Sequence, residues 1–259
     1  MGELAEEVRR FRGISLEELD ERAALLRRVD NKYALPPERF LELIDRLRGD
    51  HAVLDIDGRR QFAYETTYFE TPDLRCFTDH IEDRRPRFKA RTRCYLDTEN
   101  CLFEVKLKRT DGETDKRQVD HRVDQRRELT DSALACLRKA LQEADVDLPG
   151  RMVPSIHTSF HRLTFAASGG SERLTCDLHV RLANQEGASA EIRDGLVLVE
   201  TKSERGQSPA DAVLADMGLD LISLSKYRVG MGLLGGEATD RRQPGSELFG
   251  WSPAIARQS

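Results

Sequence analysis

The chain has 259 residues, of which 41 are Lys or Arg and 46 are Asp or Glu, so its formal net charge is −5. This mildly acidic balance lacks the basic excess typical of general nucleic-acid-binding proteins, and we expect no nucleic-acid partner. Its apolar stretches span only a handful of residues, whereas a helix needs roughly 20 to cross a bilayer. The N-terminus carries neither a signal-peptide nor a lipidation pattern. We therefore expect a cytoplasmic protein without a transmembrane segment of its own.

Four amphipathic helices are predicted from capping residues and from apolar residues at helical spacing. Near the N-terminus, Ser15 and Glu18 form a capping-box pattern that introduces a short helix. The second helix lies between Pro36 and Gly49, with apolar residues three and four positions apart. Two further helices are predicted over residues 130–144 and 208–217. These helices are short and scattered, so most of the chain is left to strands.

Alternation of apolar and polar residues is the dominant pattern between the helices. It predicts eight strands, over residues 28–35, 62–69, 87–96, 102–108, 116–123, 155–163, 173–182 and 196–202. Because they lack the strand–helix rhythm of a parallel sheet, we predict an α+β fold built on a closed, antiparallel, eight-stranded β-barrel with short flanking helices. The predicted regions are a helical lead-in (1–27), the barrel domain (28–234) and a flexible C-terminal tail (235–259).

The cysteines do not form a recognisable framework. Their number is odd, they are widely spaced, and none belongs to a C-x-x-C pair. This pattern fits neither a set of disulfides nor a zinc site, so we predict that they are small buried apolar residues. The five are Cys76, Cys94, Cys101, Cys136 and Cys176.

The most informative segment, residues 84–93, reads RRPRFKARTR and contains six cations and no acid. Side chains alternate between the two faces of a strand, so its cations share one face and its apolar residues the other. Four more predicted strands repeat this design. The residues predicted on the charged faces are Arg87, Lys89, Arg91 and Arg93; Glu104, Lys106 and Lys108; Arg28, Asp30 and Lys32; Arg173, Thr175 and Asp177; and Glu200 and Lys202.

Two interpretations of these faces are open. In a single strand, a charged face is ordinarily a solvated one. Five such strands instead suggest a barrel with a wet cationic interior, because like charges directly opposite each other destabilise a solvated sheet. Such an interior needs counter-charges, and a chain of phosphates supplies them in a form that Arg and Lys bind well. Glu104 and Asp30 then either neutralise cations or contribute to a metal site, whereas Glu200 is the preferred ligand for Mg²⁺ or Mn²⁺.

Eight motifs in order resemble those of the VTC domain, the polyphosphate polymerase domain of the vacuolar transporter chaperone complex, in the triphosphate tunnel metalloenzyme superfamily. They extend from about Arg28 to Gly230. The motifs are VDNKYAL (29–35), TYFETPDLRCF (67–77), FKARTRCY (88–95), FEVKLKRTDGETDKRQV (103–119), FHR (160–162), RLTCD (173–177), LVETK (198–202) and SKYRVG (225–230).

The resemblance implies a tunnel that binds ATP and polyphosphate together with Mn²⁺ or Mg²⁺. It implies that Glu200 binds the metal, and Glu104 is a second, weaker candidate. The residues implied to contact the phosphates are Lys32, Arg91, Arg93, Lys106, Lys116, Arg162, Arg173, Lys202 and Lys226. Four neighbouring cations are predicted as further substrate contacts: Arg87, Lys89, Lys108 and Arg117. Alternation does not place Lys226 on either face of a strand. Arg162 shares the parity of the apolar Phe160, so a bulge or a different register is expected at Arg162.

The predicted function is ATP-dependent polymerisation of polyphosphate. Tunnel hydrolases and cyclases begin with E-x-E-x-K, whereas the corresponding residues here are Arg28, Asp30 and Lys32. Loss of a carboxylate favours polymerisation over hydrolysis, because a hydrolase must orient a water molecule. A tripolyphosphatase or nucleoside triphosphatase is the second hypothesis, and a non-catalytic module that binds polyphosphate or inositol polyphosphate is the third. VTC enzymes belong to membrane complexes, so any coupling to transport requires a partner protein.

Overall fold

The computed structural model describes residues 2–22, 29–169, 171–236 and 243–252. It is an α+β protein. The strands are β1 (Arg12–Ile14), β2 (Val29–Leu35), β3 (His51–Leu54), β4 (Gln61–Glu70), β5 (Arg87–Tyr95), β6 (Asn100–Lys108), β7 (Thr114–His121), β8 (Val153–Ala167), β9 (Arg173–Ala183), β10 (Ser189–Ile192), β11 (Val197–Ser203) and β12 (Phe249–Ser252). The α-helices are α1 (Gly2–Arg9), α2 (Leu16–Arg22), α3 (Pro37–Leu47), α4 (Arg75–Ile81), α5 (Asp131–Gln142), α6 (Pro209–Asp216) and α7 (Lys226–Leu234).

The strands form one mixed sheet that is mostly antiparallel. Its main path runs β12-β10-β9-β8-β4-β5-β6-β7, while β11 joins β2 to β9 and β3 joins β1 to β8. Only β1 and β3 are parallel among the pairs whose register is defined. The predicted antiparallel α+β architecture is confirmed. A closed eight-stranded barrel is not, because twelve strands take part and hydrogen bonds between the described strands do not close the sheet.

The chain divides into two compact units. Unit 1 comprises Met1–Phe62, Phe160–Val180 and Ile192–Leu224. Unit 2 comprises Ala63–Ser159, Arg181–Glu191 and Ser225–Ser259. Within the described residues, no helix is both long enough and apolar enough to span a membrane.

In unit 1, the apolar side of β2, β9 and β11 packs against α3 and α6. Tyr33 and Val199 belong to this core together with Phe40 and Leu214 of the two helices. Asp211 of α6 accepts hydrogen bonds from the Tyr33 hydroxyl (2.8 Å) and from the Thr201 hydroxyl (2.7 Å). The core of this unit therefore lies on the side of its sheet opposite the charged residues.

Unit 2 repeats this arrangement with a single covering helix. Phe88 of β5 and Phe103 of β6 pack with Leu137 and Leu141 of α5 in one buried cluster. Thr130 caps α5 by accepting a hydrogen bond from the Ala133 backbone N–H, within the helix predicted over residues 130–144. Because α5 covers the apolar face, the charged side chains of β5 and β6 lie on the opposite face of this sheet.

Two local expectations need correction. Cys94 and Cys101, directly opposite each other on β5 and β6, form a disulfide, so the prediction of unpaired cysteines is wrong for these two. Cys76 and Cys176 are buried and unpaired, as expected. The spacing in the sequence does not reveal the pair because it depends on the register of the hairpin. In the predicted tail, Phe249 is buried and β12 pairs with β10, so this part of the tail packs on unit 2.

Candidate functional site

In unit 2, the charged faces of three adjacent strands combine into one surface. Burial in β5 alternates along the whole strand, with Phe88, Ala90, Thr92 and Cys94 buried. The intervening residues of β5 face the same side as their partners on β6 and β7. The register places Arg87 opposite Lys108, Lys89 opposite Lys106, Arg91 opposite Glu104, and Lys106 opposite Lys116. We call the surface formed by Arg87, Lys89, Arg91, Arg93, Glu104, Lys106, Lys108 and Lys116 the cationic face of unit 2.

Glu104 is the acid at the centre of this face. Its side chain is only 2% exposed and pairs with Arg91 (Nη2 to Oε2, 2.7 Å) and with Lys116 (Nζ to Oε1, 2.6 Å). Arg93 lies 3.9 Å from the same carboxylate. Burial by itself raises the pKa of Glu104, but these three cations outweigh it and hold the pKa well below its ordinary value. Glu104 therefore neutralises cations and does not fit the metal-ligand role proposed for it.

This ion-pair cluster makes stability depend on pH. Since the pKa of Glu104 falls below its ordinary 4.5 on folding, the cluster stabilises the folded protein above about pH 4.5 and loses this contribution as the pH falls further. We expect the difference in the free energy of unfolding between wild type and Glu104→Gln to shrink below pH 4.5. Urea denaturation from pH 7 to pH 3 measures this difference, and a difference that stays constant contradicts the prediction.

Three arginines, two on the cationic face of unit 2 and one on the charged side of the unit 1 sheet, have a side-chain nitrogen without a hydrogen-bond partner among the described residues. The Nε atoms of Arg87 and Arg93 in unit 2, and of Arg173 in unit 1, are buried and have no hydrogen-bond partner among the residues that the structure describes. Buried polar groups are nearly always hydrogen-bonded in folded proteins, so an unpartnered donor points to a missing acceptor. Three guanidinium groups with spare donors are suited to an anionic ligand with many oxygens.

A cleft of about 500 Å³ lies at one end of the cationic face of unit 2. Its walls come from three strands (β5, β6 and β7), two helices (α4 and α7) and the connections beside them. They are formed by His80, Ile81, Asp83, Arg87, Lys89, Lys106, Lys108, Thr114, Ser225 and Arg228. The cations outnumber the acid, and Asp83 is already paired with Arg87 at 2.7 Å. The cleft is therefore positively charged and large enough for phosphate groups.

Lys89 occupies an unusual position in this cleft. Its Nζ donates a hydrogen bond to the Ser225 hydroxyl (3.2 Å) and lies 5.1 Å from the centre of the Tyr227 ring. Burial is the main cause that lowers the pKa of Lys89 to about 7, and the nearby charges of Lys106 and Arg91 contribute to the same shift. The pKa of His80 falls to about 3, chiefly because it is buried, so this imidazole is neutral at physiological pH.

In unit 1, the charged face contains two ion pairs. Arg162 binds Asp177 through both carboxylate oxygens, at 2.6 and 2.9 Å. Lys202 Nζ lies 3.0 Å from Glu200 Oε1 and donates a hydrogen bond to the Thr175 hydroxyl (2.8 Å). Burial lowers the pKa of Lys202 to about 8, although Glu200 opposes that shift. This face thus carries two cations that are fixed by neighbouring acids.

The register extends this face to two more predicted residues. Lys32 of β2 lies opposite Glu200, and Arg173 of β9 lies opposite Lys202. Arg173 also pairs with Asp20 of α2 at 3.0 Å. The structure thereby collects Lys32, Arg162, Arg173, Glu200 and Lys202 on one surface of unit 1.

The acids of unit 1 differ in how well they fit the role of a metal ligand. Within the described ranges, no group of three or more His, Cys, Asp or Glu side chains converges as metal ligands would. Mg²⁺, however, is commonly held by one or two carboxylates with waters and substrate phosphates completing its shell. Glu200 fits that pattern as a half-buried carboxylate on the charged face of unit 1, opposite Lys32 and 3.0 Å from Lys202. Asp177 does not, because Arg162 engages both of its oxygens.

Three sequence-predicted positions need separate comment. Arg117 is paired in register with Val105, on the face that α5 covers, and binds Glu143 at 2.8 Å, so it does not join the cationic face. Lys226 is the first residue of α7 and follows the Ser225 cap. Arg28 lies outside the described residues.

Arg162 lies within β8 and close to Phe160. Strand β8 is continuous through it, and the Arg162 guanidinium lies 5.0 Å from the centre of the Phe160 ring. The aromatic ring of Phe160 therefore supports the guanidinium of Arg162 through a cation–π contact.

Sequence reasoning missed the neutral residues that position the cations. The Tyr68 hydroxyl accepts a hydrogen bond from Arg91 (3.3 Å), and the Tyr227 ring lies beneath Lys89. Tyr227 is itself fixed because its hydroxyl donates to the buried carboxylate of Glu70. The aromatic residues in TYFE and SKYR carry a signal, since Tyr on a charged strand face or after a helix cap offers a ring and a hydroxyl together.

Comparison with solved structures places this fold among known ones. One similar structure is a Hippeastrum protein studied as an adenylyl cyclase and described by a dominant triphosphatase activity; it is 16% identical, with a TM-score of 0.51 over 79% of this chain and 95% of that one. Another is the PH1819 protein of Pyrococcus horikoshii OT3, 12% identical with a TM-score of 0.42, over 78% and 97% of the two chains. The first of these likenesses shows a shared fold. No curated protein sequence matches the chain.

The sequence profile of the VTC domain matches residues 27–234, which is most of the chain. The matched region includes both charged faces and the cleft beside Lys89. The chain therefore belongs to the VTC-domain family.

Proposed function

We propose that the protein is an ATP-dependent polyphosphate polymerase that transfers the γ-phosphoryl group of ATP to the end of a polyphosphate chain. The observation that carries this proposal is the cationic face of unit 2, where Arg87, Lys89, Arg93, Lys106 and Lys108 exceed the single neutralising acid, Glu104. The unpartnered guanidinium donors favour the same class of ligand. A linear polyanion supplies charge and acceptor oxygens along the full length of such a surface.

In this reaction the protein positions the donor and acceptor phosphates and neutralises their negative charge. Phosphoryl transfer passes through a loose transition state whose charge is spread over the transferred oxygens, so side chains need to hold the donor and acceptor in line. Arg91 and Arg93 are suited to this role because Glu104 and their neighbours fix them before a substrate arrives. On the face of unit 1, Arg162 and Lys202 are fixed in the same way. No Ser, Cys or His nucleophile is required.

The proposed cofactor is Mn²⁺ or Mg²⁺. Glu200 would hold it, with phosphate oxygens of the substrate as further ligands. When bound, the metal neutralises charge on the transferred phosphoryl group. Lys202, already 3.0 Å from Glu200, is placed to contact the same phosphates. We further propose that the protein acts in the cytoplasm, and that any coupling to transport runs through a membrane partner.

Hydrolysis of tripolyphosphate or of nucleoside triphosphates is the second candidate. It is supported by the triphosphatase activity ascribed to the similar Hippeastrum protein. Against it stands the sequence of β2, where Asp30 and Lys32 follow a cation at position 28 in place of a carboxylate. Polymerisation has no need for an acid that orients water, and we therefore favour it.

Product analysis distinguishes the candidates. Purified protein is incubated with ATP and Mn²⁺, and the products are separated by gel electrophoresis and by ADP and phosphate assays. A polymerase gives ADP and long, acid-labile polyphosphate with little free phosphate. ADP with an equal amount of free phosphate supports the triphosphatase, and tight tripolyphosphate binding without any turnover supports a binding module. Arg91→Ala is the matched control for a contaminating activity.

A further inference from the structure

Lys89 differs from the other buried cations of the charged faces in its partners. Arg91 has Glu104 and Lys202 has Glu200, each within 3.0 Å. Lys89 contacts a hydroxyl and an aromatic ring, both neutral. Across the described part of the chain, no carboxylate lies within ion-pair distance of its Nζ. Among the described residues, the charge of Lys89 therefore has no compensating carboxylate in the cleft.

The groups around Lys89 are mostly positive. Lys106 faces it from β6, Arg87 and Arg91 lie on the same face of β5, and Arg228 faces it from α7. Three further titratable groups lie near Lys89, and each is ion-paired, hydrogen-bonded or neutral. Asp83 is paired with Arg87, His80 of α4 has a pKa of about 3, and Glu70 accepts hydrogen bonds from the Tyr227 hydroxyl and from the backbone N–H groups of Cys76 and Phe77.

An ammonium placed among cations without a counter-ion is destabilised relative to the neutral amine. This arrangement accounts for the direction of the Lys89 pKa, which falls to about 7, chiefly through burial. At pH 8 only about one tenth of such lysines carry a proton. The Tyr227 ring and the Ser225 hydroxyl remain favourable contacts for the protonated form, so little reorganisation is needed when the charge returns.

We propose that at pH 8 Lys89 is mostly a neutral amine in the ligand-free cleft and takes up a proton from solvent when a phosphate group binds beside it, so that polyphosphate binding is coupled to proton uptake above neutral pH. The inference rests on the proposed function, since the phosphate supplies the missing counter-charge. The proton moves from water or buffer to Lys89 Nζ, and no covalent bond is formed. The neutral state relieves repulsion among Arg87, Arg91 and Lys106 until an anion arrives.

The coupling has a defined pH dependence. Below pH 7 Lys89 is protonated with or without ligand, so its contribution to affinity is constant. Above pH 7 the free protein loses the proton before the complex does, and affinity falls by up to tenfold for each pH unit until the pKa of the complex is reached. Lys89→Arg keeps a fixed positive charge and lacks this component.

Isothermal titration calorimetry with tripolyphosphate at pH 8, without divalent metal, tests the coupling. Titrations in HEPES and in Tris, which differ in ionisation enthalpy, give the number of protons exchanged. Wild type and the surface control Lys139→Arg are expected to take up close to one proton more per ligand than Lys89→Arg. Protons exchanged by tripolyphosphate itself cancel in that comparison. Equal proton numbers in wild type and Lys89→Arg overturn the inference and leave the proposed function standing.

A second measurement follows the titration of Lys89 in the wild-type protein directly. NMR titration of lysine side chains labelled at Cε, assigned with Lys89→Arg, is expected to show one resonance with a midpoint near pH 7. Saturating tripolyphosphate is expected to move that midpoint up by at least one pH unit. A midpoint near 10 in the free protein overturns the inference. Absence of any tripolyphosphate binding by wild type in the calorimeter overturns both this inference and the proposed function.

Discussion

Replacing Arg91 by alanine is expected to weaken tripolyphosphate binding by at least about 100-fold and to lower the free energy of unfolding by about 3 kcal/mol. Binding suffers because Arg91 is a fixed cation at the centre of the cationic face. Stability suffers because Glu104 is buried and keeps only Lys116 and the more distant Arg93 as partners. Calorimetric titration with tripolyphosphate and urea denaturation measure the two effects.

A second variant separates the two roles of Arg91. In the double variant Arg91→Ala with Glu104→Gln, no uncompensated carboxylate remains, so most of the lost stability is expected to return while binding stays weak. Arg122→Ala is the matched control, because Arg122 forms an exposed pair with Asp124 that contributes at most about 1 kcal/mol. Wild-type affinity in the double variant would show that Arg91 serves the fold alone and that the ligand binds elsewhere.

The second large effect is expected from Glu200→Gln. A metal that neutralises the transferred phosphoryl group contributes several kcal/mol to transition-state stabilisation, so losing its ligand is expected to reduce metal-dependent turnover by at least about 100-fold. Tripolyphosphate binding without metal is expected to be retained or strengthened, because one negative charge leaves the charged face of unit 1. Steady-state turnover with ATP and Mn²⁺, together with metal-free calorimetry, measures these two outcomes.

The metal itself supplies an independent readout for this variant. Electron paramagnetic resonance of Mn²⁺ in the presence of tripolyphosphate reports bound metal directly, and Glu200→Gln is expected to bind it at least tenfold more weakly than wild type. Glu143→Gln, which removes a surface carboxylate paired with Arg117, is the control. Unchanged Mn²⁺ affinity in Glu200→Gln would remove Glu200 from the metal site and direct attention to Asp30.

Alternation in the sequence was sufficient to place most of the charged surfaces. In β5 a strict two-residue period puts Arg91 and Phe88 on opposite faces, and burial follows that period along the strand. All eight predicted strands occur, within a few residues of their predicted ends, because each is long enough to show the period. Strands β1, β3, β10 and β12 have only three or four residues, too few for the period to be recognised.

Other features depend on contacts that a linear pattern does not encode. Helix α4 begins after Leu74, which has a left-handed conformation and no side-chain cap, so it has no ordinary start signal. Helix α7 has a serine cap at Ser225, but its two glycines weaken the helical pattern that follows. The enclosure of Glu104 by three cations requires the register of β5, β6 and β7. Lys116 and Arg117 are adjacent cations that look equivalent in the sequence. Their positions in β7 place Lys116 on the cationic face and Arg117 on the side beneath α5.

The strict alternation of β5 also limits how this strand can change over evolutionary time. A substitution alters one side chain, but inserting or deleting a single residue exchanges the two faces of everything beyond it. The arginine side chains of β5 would then be buried in the apolar core beneath α5, and Phe88 would lie on the cationic face. We therefore expect homologous chains to vary in residue type along this strand while keeping its length unchanged, with insertions confined to the connecting loops.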